Sequence, residues 1–290
     1  MTQDRSAYYL PNPSHWPVLG CTGLFLLFAG GANWLHYRWF GPYLFSVGFL
    51  ILILMLFGWF AALVRENSAG CFDRLEIRAF RSGMIWFIIS EIVFFGAFFG
   101  ALFFTRLWAI PELGGEIHPI THLLIWPDFN AEWPLLHNPD NDRFTGAQSL
   151  SSPWGIPALN TGILLTSGVT ITVAHRGLKS SKRLRLIGGL ALTIALGVTF
   201  LCCQASEYYQ AYTHHGLTLN AGIYGSLFFI LTGFHGAHVT IGTIMLIVIL
   251  YRSTLGHFTP ARHFAFQAVA WYWHFVDMVW LLLFVFVYWL

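Results

Sequence analysis

Charge is what this sequence has least of. Of 290 residues, 10% are Asp, Glu, Lys or Arg, against 56% hydrophobic. A soluble domain carries about a quarter charged residues, so side chains this sparse could not cover a water-soluble fold of this length. The two signs nearly cancel, at a net charge of +2, and no basic surface for nucleic acid is expected. Cysteine is scarce as well: Cys21, Cys71, Cys202 and Cys203, none in a C-x-x-C spacing. Cys202 and Cys203, as neighbours, would fall on different faces of a helix. Three of the four are expected to be apolar packing residues and Cys71 a loop thiol, so neither disulfides nor thiolate metal sites are expected. The first 17 residues lack an apolar run and carry Asp4, Arg5, Pro11, Pro13 and Pro17, so no cleavable signal peptide is expected. A second domain, a low-complexity tract and an internal repeat are also missing.

What the chain does have is long apolar runs. A membrane-crossing helix needs about 20 mostly apolar residues, and seven stretches qualify: 18–36, 43–64, 84–107, 157–175, 187–207, 222–251 and 265–289. Phe, Trp and Tyr make up 18% of the chain, which suits helices that meet lipid and its interface. With the N-terminus inside, the inner segments carry 12 of the 15 Lys and Arg residues, and the outer ones carry only Arg38, Arg106 and Arg143. That asymmetry predicts N-inside, C-outside and an odd number of spans. The connection 108–155 lies outside on this map, with six of the 12 prolines and six acidic residues to one arginine. Its composition predicts an irregular, ordered cap, read either as a solvated loop or as a contact surface for a partner.

Ionisable groups inside a span are costly and therefore informative. Glu91, Glu207 and Asp277 are the acids that fall within the seven stretches, and Arg106, one residue from the outer end of the third, is the one Lys or Arg that does. Glu91 sits roughly 12 Å along the third span with no basic residue expected at its level. It is read either as a hydrogen-bonding anchor to a neighbouring helix or as a proton-handling or lipid-contacting carboxyl. Glu207 is expected at a helix end, within reach of interfacial water. The third span also carries Gly96-x-x-x-Gly100 and Ala97-x-x-x-Ala101, small residues that let helices approach. His274 and Asp277 are three apart and share a helical face. His235 and His238 are likewise three apart. Two histidines make an incomplete metal or haem site, and interhelical hydrogen bonding is the expected use of all three.

These segments resemble, in order and across all seven spans, the subunit III family of haem–copper cytochrome c oxidases. The matching runs are N-P-S-H-W-P (Asn12 to Pro17), Val64-Arg65-Glu66 with Trp59 before it, and Gly83 to Phe95. They continue with Leu159 to His175, Gln204 to Tyr209, Gly222 to Val239 and W-Y-W-H-F-V-D-M-V-W-L (Trp271 to Leu281). The first two spans set it apart from five-helix relatives in quinol oxidases. The long 108–155 connection looks proteobacterial. The chain departs from the family at Gly70-Cys71-Phe72, where many members have a His, and at Trp59-Phe60, where many have a tandem Trp. Both departures bear on head-group contacts.

The resemblance implies an all-α integral membrane protein in which two N-terminal helices splay from a five-helix bundle around a lipid-filled cleft. It implies no haem, copper or other cofactor in this chain and no catalytic residue. Subunits I and II would be its partners, and phospholipid would be held by Trp59, Arg65, Glu66, Arg252 and His257. The implied role is a non-redox core subunit of a proton-pumping oxidase of the aerobic respiratory chain, supporting turnover stability, lipid retention and proton uptake. The implied home is the bacterial inner membrane, or alternatively the mitochondrial one. Two rival classes remain on residue grounds. A secondary transporter would have broken helices at matching positions of two halves. A membrane haem enzyme would need facing axial histidines such as His238 and His274.

Overall fold

The computed structural model describes residues 14–68 and 74–289. Asp4, Arg5, Pro11, Asn12, Pro13, Gly70, Cys71 and Phe72, to which sequence expectations attach, lie outside the described residues. The long helices are α1 (Trp16–Leu35), α2 (Gly41–Ser68), α3 (Arg74–Phe104), α6 (Ile156–Lys179), α7 (Arg183–His214), α8 (Ile223–Thr254) and α9 (Phe264–Leu283). Two short helices, α4 (Ile110–Leu113) and α5 (Pro119–Ile125), lie in the long connection. Wider π turns continue α3 over Thr105–Ala109 and α9 over Phe284–Trp289. No strand occurs among the described residues. Among the described residues seven helices are long and apolar enough to cross a membrane, and the protein is a polytopic membrane protein.

Most of these helices outrun their apolar stretches. A helix of 31 residues such as α3 is about 46 Å long, against a hydrocarbon core of about 30 Å. The excess carries the charges: Glu76, Arg78 and Arg81 ride on the first turns of α3, and Arg176 and Lys179 on the last turn of α6. Hydropathy drops at such residues although they are good helix formers. For that reason the apolar stretches stop short of the helix ends.

The chain divides into two compact units, residues 1–80 and 81–290. In the first, α1 and α2 form a tight antiparallel pair. The buried positions of α1 are Gly20, Gly23 and Gly30, a stripe at helical spacing. A Cβ at Gly30 would collide with the backbone nitrogen of Phe45, and one at Gly48 with that of Leu27. Lipid is as apolar as leucine, so helices in a bilayer gain by close packing of small residues rather than by hiding apolar surface.

In the second unit α7, α8 and α9 surround a core built on Trp273, Trp280 and Phe200, each almost fully buried. The indole N–H groups are satisfied by α6: Trp273 donates to Ser167 Oγ at 2.8 Å and Trp280 to Thr161 Oγ1 at 3.0 Å. Hydroxyl pairs add further ties, Thr170 to Thr193 between α6 and α7 and Tyr208 to Thr232 between α7 and α8, each at 2.7 Å. Helix α3 joins through aromatic side chains: Phe94 and Phe98 meet Phe234 with ring centroids 5.1 and 5.2 Å apart. Gly96 and Gly100 are not part of that seam, because a Cβ at either would meet nothing within 4 Å. The small-residue face of α3 points away from its neighbours among the described residues, since the phenylalanines occupy the packed face.

The segment after α4 closes one end of the bundle, here the loop side. Gln148 N donates to His215 O at 2.9 Å, and the Asn138 amide donates to Phe144 O at 2.7 Å. Phe129, Leu135 and Ala147 are buried beneath it. The segment is thus held by hydrogen bonds and its own small core.

Candidate functional site

Two features of the second unit bring ionisable groups together at membrane depth. The first joins α3 to α8. Glu91 lies 17 residues after the start of α3, near its middle, because the helix begins earlier than the apolar stretch does. Opposite it, where no basic residue was expected, stands His238, with Nε2 2.9 Å from Glu91 Oε2. The other ring nitrogen, Nδ1, is 2.6 Å from the carbonyl of Phe234. A carbonyl only accepts, so Nδ1 carries a proton. The contact with Glu91 is then either a carboxylic acid donating to Nε2 or a carboxylate accepting from an imidazolium. Both arrangements hold one shared proton and no net charge, which is why a bilayer tolerates the pair. Phe95 and Tyr272 flank the imidazole, with ring centroids 5.0 and 6.4 Å away.

The second feature is a polar face between α6 and α9. Thr172 Oγ1 is 3.4 Å from His274 Nε2, and His274 Nδ1 is 3.9 Å from Asp277 Oδ2. Gly168 makes room here, since a Cβ there would lie 2.8 Å from Asp277 Oδ2. Further along the same two helices His175 faces His263 at 5.4 Å between rings. At that end Arg81 of α3 donates to the Gln267 side chain at 3.3 Å. Positions 168, 172 and 175 share one face of α6, and 267, 274 and 277 share one face of α9, with His263 at the N-cap of that helix. His235 is apart from this face, buried against Phe200 and Trp280, with Nε2 donating to Val276 O at 3.2 Å.

Glu207 corrects the expectation of a helix-end carboxyl. Helix α7 runs on to His214, and Glu207 is 1% exposed. Packing of Tyr208, Tyr224 and Tyr288 around this end of the bundle shuts out the interface. The Gln204 amide donates to Glu207 Oε2 at 3.1 Å, and the Asn160 amide approaches Gln204 Oε1 at 3.5 Å. Asn160, Thr172, His175, His263 and Tyr288 entered no sequence expectation as site residues. The signal that could have found the first three is the helical spacing of polar positions on α6.

The residues tied to lipid fall into two groups, each within one unit. In the first, Trp59 is stacked with Phe60, Arg65 is exposed and Glu66 is half-buried on α2. In the second, Arg252 lies at the end of α8, 8% exposed, with its guanidinium 4.7 Å above the Phe258 ring. Its Nε and Nη2 have no hydrogen-bond partner within the protein. His257 follows on the exposed turn, its backbone N–H donating to Arg252 O. The cysteines differ from expectation: Cys21 and Cys202 are exposed and Cys203 is half-buried, since the packed faces of their helices are taken by small and aromatic residues. Among the described residues, no three of His, Cys, Asp and Glu lie close enough to share a metal ion.

Comparison with known proteins gives a consistent result along the whole chain. A family model described as cytochrome c oxidase subunit III matches residues 6–138 and 144–290. Proteins named cytochrome c oxidase subunit 3 from Equus caballus, Sus scrofa and Ornithorhynchus anatinus are each 42% identical over 290 residues, covering 100% of this chain and 99% of theirs.

Proposed function

This chain belongs to the cytochrome c oxidase subunit III family, and from that premise we propose that it is a non-redox core subunit which packs against subunits I and II, retains phospholipid and sustains turnover. The observation that carries this reading is how the membrane-depth polar groups are used. Glu91, His235 and His238 bond to groups on neighbouring helices, an arrangement suited to fixing a scaffold. Haem and copper belong to the partner subunits on this reading, and the electron chemistry with them. On this reading the membrane is a bacterial plasma membrane or, alternatively, a mitochondrial inner membrane, and the Lys and Arg asymmetry supports an N-terminus on its inner side.

Phospholipid retention has its own support. A buried guanidinium with two unpartnered N–H groups is expensive unless an anion meets it. Arginine offers paired donors to two oxygens of a phosphate, and His257 stands on the following exposed turn. Trp59, Arg65 and Glu66 are assigned to the same task from the family resemblance. Ordinary snorkelling is the competing account of an interfacial arginine. Native mass spectrometry of the intact complex separates the two. Arg252→Ala should lose an anionic lipid that the wild type retains, and equal retention would leave snorkelling as the explanation. For the assignment as a whole, tagged chain should co-purify with subunits I and II as a complex carrying their haem spectrum. Recovery of the chain alone from mild detergent would count against it.

A further inference from the structure

Three polar atoms at the loop-side end of the second unit lack a partner within the protein: Asn160 Oδ1, Glu207 Oε1 and the hydroxyl of Tyr288. They belong to one cluster. Asn160 and Glu207 are joined through Gln204, with contacts of 3.5 and 3.1 Å. The Tyr288 hydroxyl interacts with both Gln204 and Glu207 but is in hydrogen-bond geometry with neither. Asn160 and Glu207 are 0% and 1% exposed. Leaving three such groups unmade would cost on the order of 1–3 kcal/mol each, too much to be an accident of packing.

Next to this cluster a cavity of about 350 Å³ opens on the loop side, lined among others by Pro134, Leu150, Ser152, Leu217, Tyr224 and Tyr288. Tyr288 is common to the cavity and the cluster. Tyr224, which also lines the cavity, is within electrostatic reach of the Glu207 carboxyl. The space far exceeds the roughly 10–15 Å³ that one water needs.

We propose that Asn160, Glu207 and Tyr288 hold an ordered water, and that this water links the Glu207 carboxyl through the cavity to the aqueous phase on the loop side, making Glu207 a proton-exchanging group. The donors and acceptors balance. With Oε2 accepting from the Gln204 amide, the water accepts from the Glu207 Oε1–H and the Tyr288 O–H and gives one hydrogen to Asn160 Oδ1, its second hydrogen facing the cavity. Three bonds is the usual complement of a buried water. The ionisable side chains around the carboxyl are the phenols Tyr208 on α7, Tyr224 on α8 and Tyr288 after α9. With neutral partners and little exposure, the acid is cheapest uncharged. Exchange then consists of the carboxyl passing its proton to the water while the water passes one on toward the cavity, followed by the reverse transfer that returns a proton from the cavity side to the carboxyl, so the net charge is unchanged when the sequence is complete. The inference needs only this chain's own residues and stands apart from the lipid and turnover reading.

Infrared difference spectra of the intact complex, recorded as the buffer is switched from H2O to D2O, test it. A protonated-carboxyl band that Glu207→Gln removes should shift within minutes in the wild type. In Tyr288→Phe, which loses one of the three bonds to the water, that band should change position and its exchange should slow. A Glu207 band that exchanges no faster than the core helix amides would overturn the proposal, and so would the absence of any such band or identical behaviour in Tyr288→Phe. Should Glu207→Gln fail to assemble, the comparison of wild type with Tyr288→Phe decides by itself.

Discussion

Beside the Phe234 carbonyl, His238 has its Nδ1 proton assigned by chemistry, and Glu91 must complete the other nitrogen. The pair therefore works as a unit. Truncating one partner leaves the other buried without a counterpart, whereas removing both leaves only a packing defect. Polar pairs between membrane helices have measured couplings averaging about 0.6 kcal/mol and reaching about 1.7. A double-mutant cycle with Glu91→Ala and His238→Ala, read from thermal inactivation of the assembled complex, should give a coupling in the upper part of that range. Additive losses would mean that the two side chains contribute separately. At this scale the sequence shows that Glu91 must have a partner, because a carboxyl in hydrocarbon is costly. It does not identify His238, which is 147 positions away, because residues that distant are brought together only by helix packing.

Helices α1 and α2 are joined by absent side chains. Gly48 lies where a Cβ would strike the Leu27 backbone, and backbone cannot swing aside as a side chain can. Gly48→Leu should push the two helices apart and destabilise the pair by about 1–3 kcal/mol, in the range of overpacked cores. Gly100→Ala is the contrasting case. Nothing lies within 4 Å of its added carbon, and alanine favours helix over glycine by up to about 1 kcal/mol, so the isolated chain should be unchanged or slightly more stable. Limited proteolysis during a temperature ramp would rank the two, and equal susceptibility would contradict the packing argument. In the sequence the two glycines are alike in being small residues within apolar runs. Which one is pressed against a neighbour depends on how each helix is rotated about its axis, and the phenylalanines of α3 decided that by claiming the face toward α8.

For the whole molecule, the expectation concerns time rather than initial rate. If the redox chemistry resides in partner subunits, an oxidase stripped of this chain should begin at near-normal speed. It should then lose activity with each turnover, because packing support and bound lipid are gone and local opening competes with catalysis. A time course of oxygen consumption, with and without the chain, reads this directly. Unchanged loss per turnover would remove the supporting role, and an oxidase dead from the first second would place catalytic work in this chain.

Taken alone, the sequence determined that the protein is a seven-helix membrane protein and a member of its family. Both rest on properties that add along the chain: apolar run length, the sparseness of charge and the order of local motifs. Tertiary structure decided what is set by relative rotation and depth of helices. It matched Glu91 with His238, carried α7 past Glu207 so that this acid is buried among phenols, left Gly96 and Gly100 unpacked and set the Arg252 guanidinium over the Phe258 ring. Helical spacing says which residues share a face, but only the packed bundle says what that face meets.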